Sequence, residues 1–201
     1  IDLGLKSLLL DGSDVAVCAG ASSVGPMLTV LFDRLGGLPR DGNCRPLDAT
    51  SGGVLFADGA AVVILKRLRR AREDGDQIHA VIRAFGTSSD GKGKAIYAPS
   101  AAGQRRAIER CHAHPVVDAQ RIAWIVAHAT GTSAGDVTEL NSLGQTNEVP
   151  RLVTSNKAVV GHTGWAAGIV SVIHAALGLQ HGLVPPQPRF EKPRPEANLV
   201  E

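Results

Sequence analysis

Aromatic residues are nearly missing from this chain: four Phe, two Trp and one Tyr among 201 residues. So few rings argue against a base-stacking nucleic-acid surface and against a sugar-binding aromatic platform. An excess of one charge is missing too. The formal balance of +2 gives no reason to expect nucleic acid or an anionic membrane surface as a partner. Basic residues gather only at 66–70 and 105–106, and a solvated helix face accounts for both. No apolar run is long enough to cross a bilayer; the best, 165–179, is short and interrupted by Ser171 and His174. No stretch reads as a secretory leader. Cysteine is sparse: Cys18, Cys44 and Cys111 show neither paired metal spacing nor a disulfide framework. A reducing compartment, the cytoplasm, and a chain without a metal of its own are the expectations.

What is present is a set of Gly-containing loops behind short apolar runs. The stretch Lys157-Ala-Val-Val-Gly-His162-Thr-Gly follows a β-like run and precedes a helix-length apolar segment. That places a lysine and a histidine between a strand end and a helix start, where α/β proteins aim reactive groups at a common crevice. Taken alone, the stretch reads equally as a βα loop with a solvated lysine and an incidental histidine. A second stretch, Ala127-His128-Ala-Thr130-Gly-Thr132-Ser-Ala-Gly-Asp136-Val-Thr-Glu139, shifts that balance. It follows the buried-strand pattern of 122–126 and precedes a helix beginning near Asp136 and running to about Asn147.

Along the chain, a helix tail over 3–10 gives way to a turn and to a buried strand over 14–20. A helix over 26–35 ends at Gly36-Gly37, and a loop crosses 37–53. A strand over 59–65, a charged helix over 67–73 and a strand over 78–85 follow. A long loop over 86–100, a helix over 101–114 and a capped turn at 117–120 lead to the two loops above. A long apolar helix then runs to about His181, and 185–201 is Pro-rich. Alternating short apolar strands and helices predict a layered α/β fold with at least partly parallel strands, and no short internal repeat is present. The chain opens inside a helix and closes without an element of its own, so it reads as a portion of a longer polypeptide.

The two loops resemble the C-terminal signatures of β-ketoacyl synthases, E-A-H-G-T-G-T-x-x-G-D-x-x-E and K-S-N-I-G-H-T. They are most similar to those of the ketosynthase domains of type I polyketide synthases. The likeness extends to 14–20, to Asn43-Cys-Arg-Pro-Leu-Asp48, to 59–68 and to 181–186, so nearly the whole chain is covered in order. The resemblance implies a thiolase-like fold, layered α-β-α-β-α, with residues 1–201 a fragment of one ketosynthase domain and 185–201 its Pro-rich C-terminal segment. It implies decarboxylative Claisen condensation of a malonyl-type extender with an acyl chain held on a cysteine. His128, Lys157 and His162 are then catalytic: the imidazoles donate to the thioester oxygen, and Lys157 sets the field and orients them by hydrogen bonds. Thr130 and Thr132 resemble the hydroxyls that bind phosphopantetheine, or one of them simply caps the next helix. Asp136 and Glu139 tie the lysine into a buried charge network, or interact with the helix dipole. No cofactor of its own is implied beyond the phosphopantetheine of an acyl carrier protein. The implied partners are that carrier, neighbouring synthase domains and a second copy in a homodimer.

The family nucleophile, in an A-C-S-S context, is expected a few residues before Ile1. Cys18 aligns to a core strand, and Cys44 and Cys111 are expected far from both signatures. Val126, Ala129, Ala158, Val159 and Asp58 depart from the family pattern and bear on acyl-chain selectivity more than on chemistry. A chain-length-factor-like or decarboxylase-only partner is the alternative function. A thiolase lacks its second cysteine here, and a serine hydrolase lacks its Gly-x-Ser-x-Gly elbow.

Overall fold

The computed structural model describes residues 1–93, 98–146 and 149–195. Its elements are α1 (Asp2–Leu9), β1 (Val15–Ser22), α2 (Pro26–Arg34), β2 (Gly59–Lys66), α3 (Leu68–Glu73), α4 (Ala101–His112), β3 (Trp124–Val126), α5 (Ser133–Gly144), β4 (Leu152–Thr154), α6 (Lys157–Val160) and α7 (Ala167–His181). Local chemistry sets many of the boundaries. Pro26 starts α2 at a position where its missing N–H costs nothing. Ser100 caps α4 by accepting from Gly103 N, and Asp118 caps the 3-10 turn Ala119–Arg121 by accepting from Gln120 N. Gly182, in the left-handed conformation, ends α7.

β1 and β2 pair antiparallel, Val15 opposite Lys66 through Ser22 opposite Gly59. β3 and β4 pair parallel, Trp124 opposite Leu152 and Val126 opposite Thr154. α7 lies between the two sheets and touches β1, β2 and β3. Ala167, Ile169 and Gly178 are its buried positions, while Leu177 and Leu179 stay exposed. Beyond the parallel pair, Leu140 of α5 joins Leu47, Ala127 and Ala129 in the core, with Val153 packed against it. The layering is thus sheet, helix, sheet, helix among the described residues, in agreement with the expected α/β class and its parallel strands.

The 3-10 turn Gly164–Ala166 rests on β1 so closely that a Cβ at Gly20 would fall 2.8 Å from the Trp165 carbonyl oxygen. The antiparallel sheet therefore floors the second signature loop, while the parallel sheet launches both loops from its strand ends.

Two expectations, the strand over 78–85 and the open turn at Lys157, meet a different outcome. Residues 78–85 pair with no strand among the described residues, and Ile78, Val81 and Ile82 are exposed. A strand exists only as a ladder, and hydropathy cannot see whether a partner is present. Lys157 does not lie on an open turn but opens the one-turn helix α6. The Pro-rich stretch to 195 forms no helix or strand yet packs closely: Asp48 accepts from Glu191 N (2.7 Å) and Lys192 N (3.0 Å). The helix expected to run to about Asn147 ends at Gly144, and residues 94–97 of the expected loop lie outside the described residues.

Candidate active site

Parallel pairing of β3 with β4 brings the two loops side by side. Ala127 N donates to Thr154 O (2.7 Å), and Ser155 Oγ donates to Ala129 O (2.9 Å), tying one loop to the other. The Lys157 N–H reaches the same hydroxyl (3.4 Å). The rings of His128 and His162 meet edge to face, centroids 5.0 Å apart at 86°. The two signatures, 34 residues apart by number, thus form one constellation.

The His162 backbone is pinned in a parallel bridge to 55–57. Its N–H donates to Leu55 O (2.7 Å), and Ala57 N donates to His162 O (3.1 Å). Gly161 permits this: its φ is 71°, and a Cβ there would lie 2.8 Å from the Ala57 Cβ. His128 is held from the other side. Glu139 accepts from His128 N and Ala129 N, one bond per carboxylate oxygen, each 2.7 Å. Asp136, fully buried, accepts from Leu47 N (2.8 Å) and Gly131 N (3.0 Å). The acids therefore shape the His128 loop by binding backbone N–H groups.

Lys157 is 1% exposed, and its Nζ bonds to no group among the described residues. The expected hydrogen bonds from Lys157 to the histidines are not formed. Burial lowers the lysine pKa, and the Glu139 charge foremost, with that of Asp136, opposes the fall. The acids reach the lysine through the field alone. Burial and the Lys157 charge hold His162 down to about 4. His128 falls to about 4 through desolvation by the surrounding mass, then through Lys157 and His162. His128 keeps an exposed face, whereas His162 is half-buried. Both imidazoles are neutral at neutral pH, each with one N–H to donate. Burial raises Asp136 to about 6, against the two backbone N–H groups that lower it.

Thr130 and Thr132 share a hydroxyl–hydroxyl bond of 3.1 Å, and Thr132 occupies the cap position of α5 without a side-chain capping bond. The helix-capping reading therefore does not hold for Thr132. Each hydroxyl keeps further hydrogen-bonding capacity.

Cys44 stands closer to the site than its sequence context indicates. Its Sγ lies 3.6 Å from Thr130 O, and burial raises its thiol pKa, so it is a protonated core thiol. Cys18 is buried in β1 and Cys111 is half-buried on α4. Sequence reasoning also missed Ser155 and Phe56. The Phe56 ring stacks on His162 at 5.6 Å and 25°, a contact for which the sequence carried no signal.

With this geometry in hand, the likeness to known proteins is specific. Residues 1–71 match the model of the beta-ketoacyl synthase N-terminal domain, and 79–191 that of the C-terminal domain. The chain is 40% identical over 184 residues to a 6-methylsalicylic acid synthase of Aspergillus niger, covering 87% of this chain and 10% of that protein. It superposes on the ishigamide ketosynthase/chain length factor with a TM-score of 0.91 and 31% identity, over 98% of this chain and 48% of that one. For the ketosynthase of module 6 of the bacillaene synthase from Bacillus subtilis 168, the TM-score is 0.91 and the identity 29%, over 97% and 36%. The fold is accordingly the thiolase-like fold of ketosynthases, and the chain spans about a tenth of the length of the curated relative it matches. The chain belongs to the beta-ketoacyl synthase family, as ketosynthase sequence of the type I polyketide synthase kind.

Proposed function

We propose that this chain carries the decarboxylation half of a chain-elongating condensation site. A malonyl-type thioester on the phosphopantetheine arm of an acyl carrier protein loses carbon dioxide, and the freed electron pair forms an enolate with its charge on the thioester oxygen. The neutral imidazoles of His128 and His162 donate N–H bonds to that oxygen, and Lys157 supplies a buried positive field. The enolate carbon then attacks an acyl thioester held on a cysteine, whose thiolate leaves. The observation that carries this reading is the pairing of two imidazoles at 5.0 Å with a buried lysine whose Nζ has no hydrogen-bond partner among the described residues. Donors of this kind contribute roughly 10²–10³ in rate each.

Cys44, held protonated against Thr130 O, is not that cysteine, and the acyl thioester rests on a thiol other than the three of this chain. Residues 1–201 are read as a fragment of one ketosynthase domain, with 185–201 as the Pro-rich C-terminal segment of the same domain. Gln187 Oε1 accepts from Ser155 N (2.7 Å), Arg189 donates to Ala158 O (2.6 Å), and Arg194 donates to Ser133 Oγ (3.0 Å), so the segment clasps both signature loops. Neighbouring synthase domains and a second copy are the expected partners. Among the described residues no helix is long and apolar enough to cross a membrane, and the cytoplasm is the proposed compartment.

The test is carbon dioxide release from malonyl-pantetheine. The chain is expected to release it, with His128→Ala and His162→Ala each slowing release roughly 10²-fold or more. No release above buffer contradicts the proposal. Release without any transfer to an acyl acceptor when a cysteine-bearing partner is added supports the decarboxylase-only alternative.

A further inference from the structure

The structure sets the plane of the His162 imidazole in an unusual way. Catalytic imidazoles are commonly oriented by a hydrogen bond to the ring nitrogen that does not react. Here His162 Nδ1 is buried, and no group among the described residues bonds to it. Rings do the orienting. Phe56 lies nearly parallel to the imidazole, 25° between planes at 5.6 Å, and the His128 ring meets it edge-on at 5.0 Å.

The Phe56 contact follows from the backbone, because the parallel bridge between Phe56 and His162 puts both side chains on one side of the ladder. Phe56 is braced in turn. Phe32 of α2 meets it edge-on, centroids 4.9 Å apart at 83°. The loops are fastened behind this pair by the bond from Val54 N to Gly37 O (2.8 Å). Four rings thus stand in series from α2 to the first signature, in a chain with very few rings. Offset and edge-to-face pairs of this kind have preferred geometries and resist rotation of their members.

We propose that Phe56, backed by Phe32, is a positioning residue for His162, fixing its ring plane so that its N–H points at the reacting thioester oxygen. The inference rests on the decarboxylation reading above. Loss of the platform leaves the imidazole chemically intact but free to turn, which reduces turnover rather than substrate binding.

The experiment uses the full chain with labelled histidine and follows the His162 ring resonances and the steady-state release of carbon dioxide from malonyl-pantetheine. In Phe56→Leu the His162 resonances lose the ring-current contribution of Phe56. There kcat falls roughly tenfold with KM unchanged, and Phe56→Tyr restores both. Phe32→Leu, which touches neither histidine, shifts the same resonances less and lowers kcat by a smaller factor. The last variant stands in should Phe56→Leu fail to fold. Unmoved His162 resonances in both Leu variants overturn the proposal, as do moved resonances with unchanged kcat, or a loss confined to KM. Absence of carbon dioxide release by the wild-type chain removes the reaction reading instead, a result distinct from release that is indifferent to Phe56.

Discussion

Replacing Lys157 by methionine is expected to make the protein more stable while removing the buried cation from the site. The lysine side chain is 1% exposed and its Nζ has no hydrogen-bond partner among the described residues. An ammonium in that position loses its hydration without a bonded replacement, and the Glu139 and Asp136 carboxylates oppose this only through the field. Methionine fills a similar volume without charge, and apolar replacement of buried charged groups stabilises by about 1–4 kcal/mol. At about 2–4 °C per kcal/mol for a chain of this size, the melting temperature rises by roughly 2–15 °C. Urea titration checks this: the midpoint moves up at unchanged slope. The pH dependence gives a second handle. A lysine whose folded pKa lies below the ordinary 10.5 binds fewer protons folded than unfolded in that interval, so wild-type stability rises with pH there. The gap to Lys157→Met therefore narrows as pH climbs toward 10.5 and is widest at neutral pH. A variant less stable than wild type by more than about 1 kcal/mol refutes the reasoning, since that is the signature of a satisfied lysine.

Asp136→Asn leaves one of the Leu47 and Gly131 N–H groups facing an amide donor, at a cost of about 1–3 kcal/mol. Because the Asp136 pKa is raised to about 6, its favourable contribution is present below the ordinary value and lost as pH rises through about 6. The variant is thus less handicapped at pH 7.5 than at pH 4.5, and denaturant midpoints at the two values check it. Gly161→Ala is expected to destabilise by about 1–3 kcal/mol, since φ is 71° and the new Cβ meets Ala57; calorimetry reads the loss. Glu139→Gln leaves His128 N or Ala129 N without its acceptor. Carbon dioxide release from malonyl-pantetheine is expected to fall roughly tenfold in kcat with KM unchanged.

The site was legible where chemistry and local geometry coincide. His128 and Lys157 each follow a short apolar strand, and His162 comes five residues after Lys157 behind a glycine, so sequence alone places them in loops at strand ends. What joins them is not local. Cys44 reaches Thr130 across 86 positions, and Asp48 clasps residues 143 and 144 positions away; no periodicity encodes such contacts. The acids show the same limit. Their spacing from His128 was visible, but the competition between a lysine and two backbone N–H groups for each carboxylate is decided by packing. Residues 78–85 carry a strand's hydropathy and lack its ladder, because pairing belongs to the partner as much as to the segment. The Phe56 platform was invisible for the same reason, its stacking being a product of a two-residue bridge to a loop about a hundred positions on.

Two imidazoles kept neutral beside a buried cation are the centre of the proposed site. Its most direct test is the titration of His128 and His162 by nitrogen-15 NMR, in wild type and in Lys157→Met. Both rings are expected to stay neutral at pH 7 and to titrate well below the ordinary 6.5, His162 near 4, with both midpoints moving upward once the lysine charge is gone. Midpoints near 6.5 in the wild type, unmoved by the substitution, contradict it.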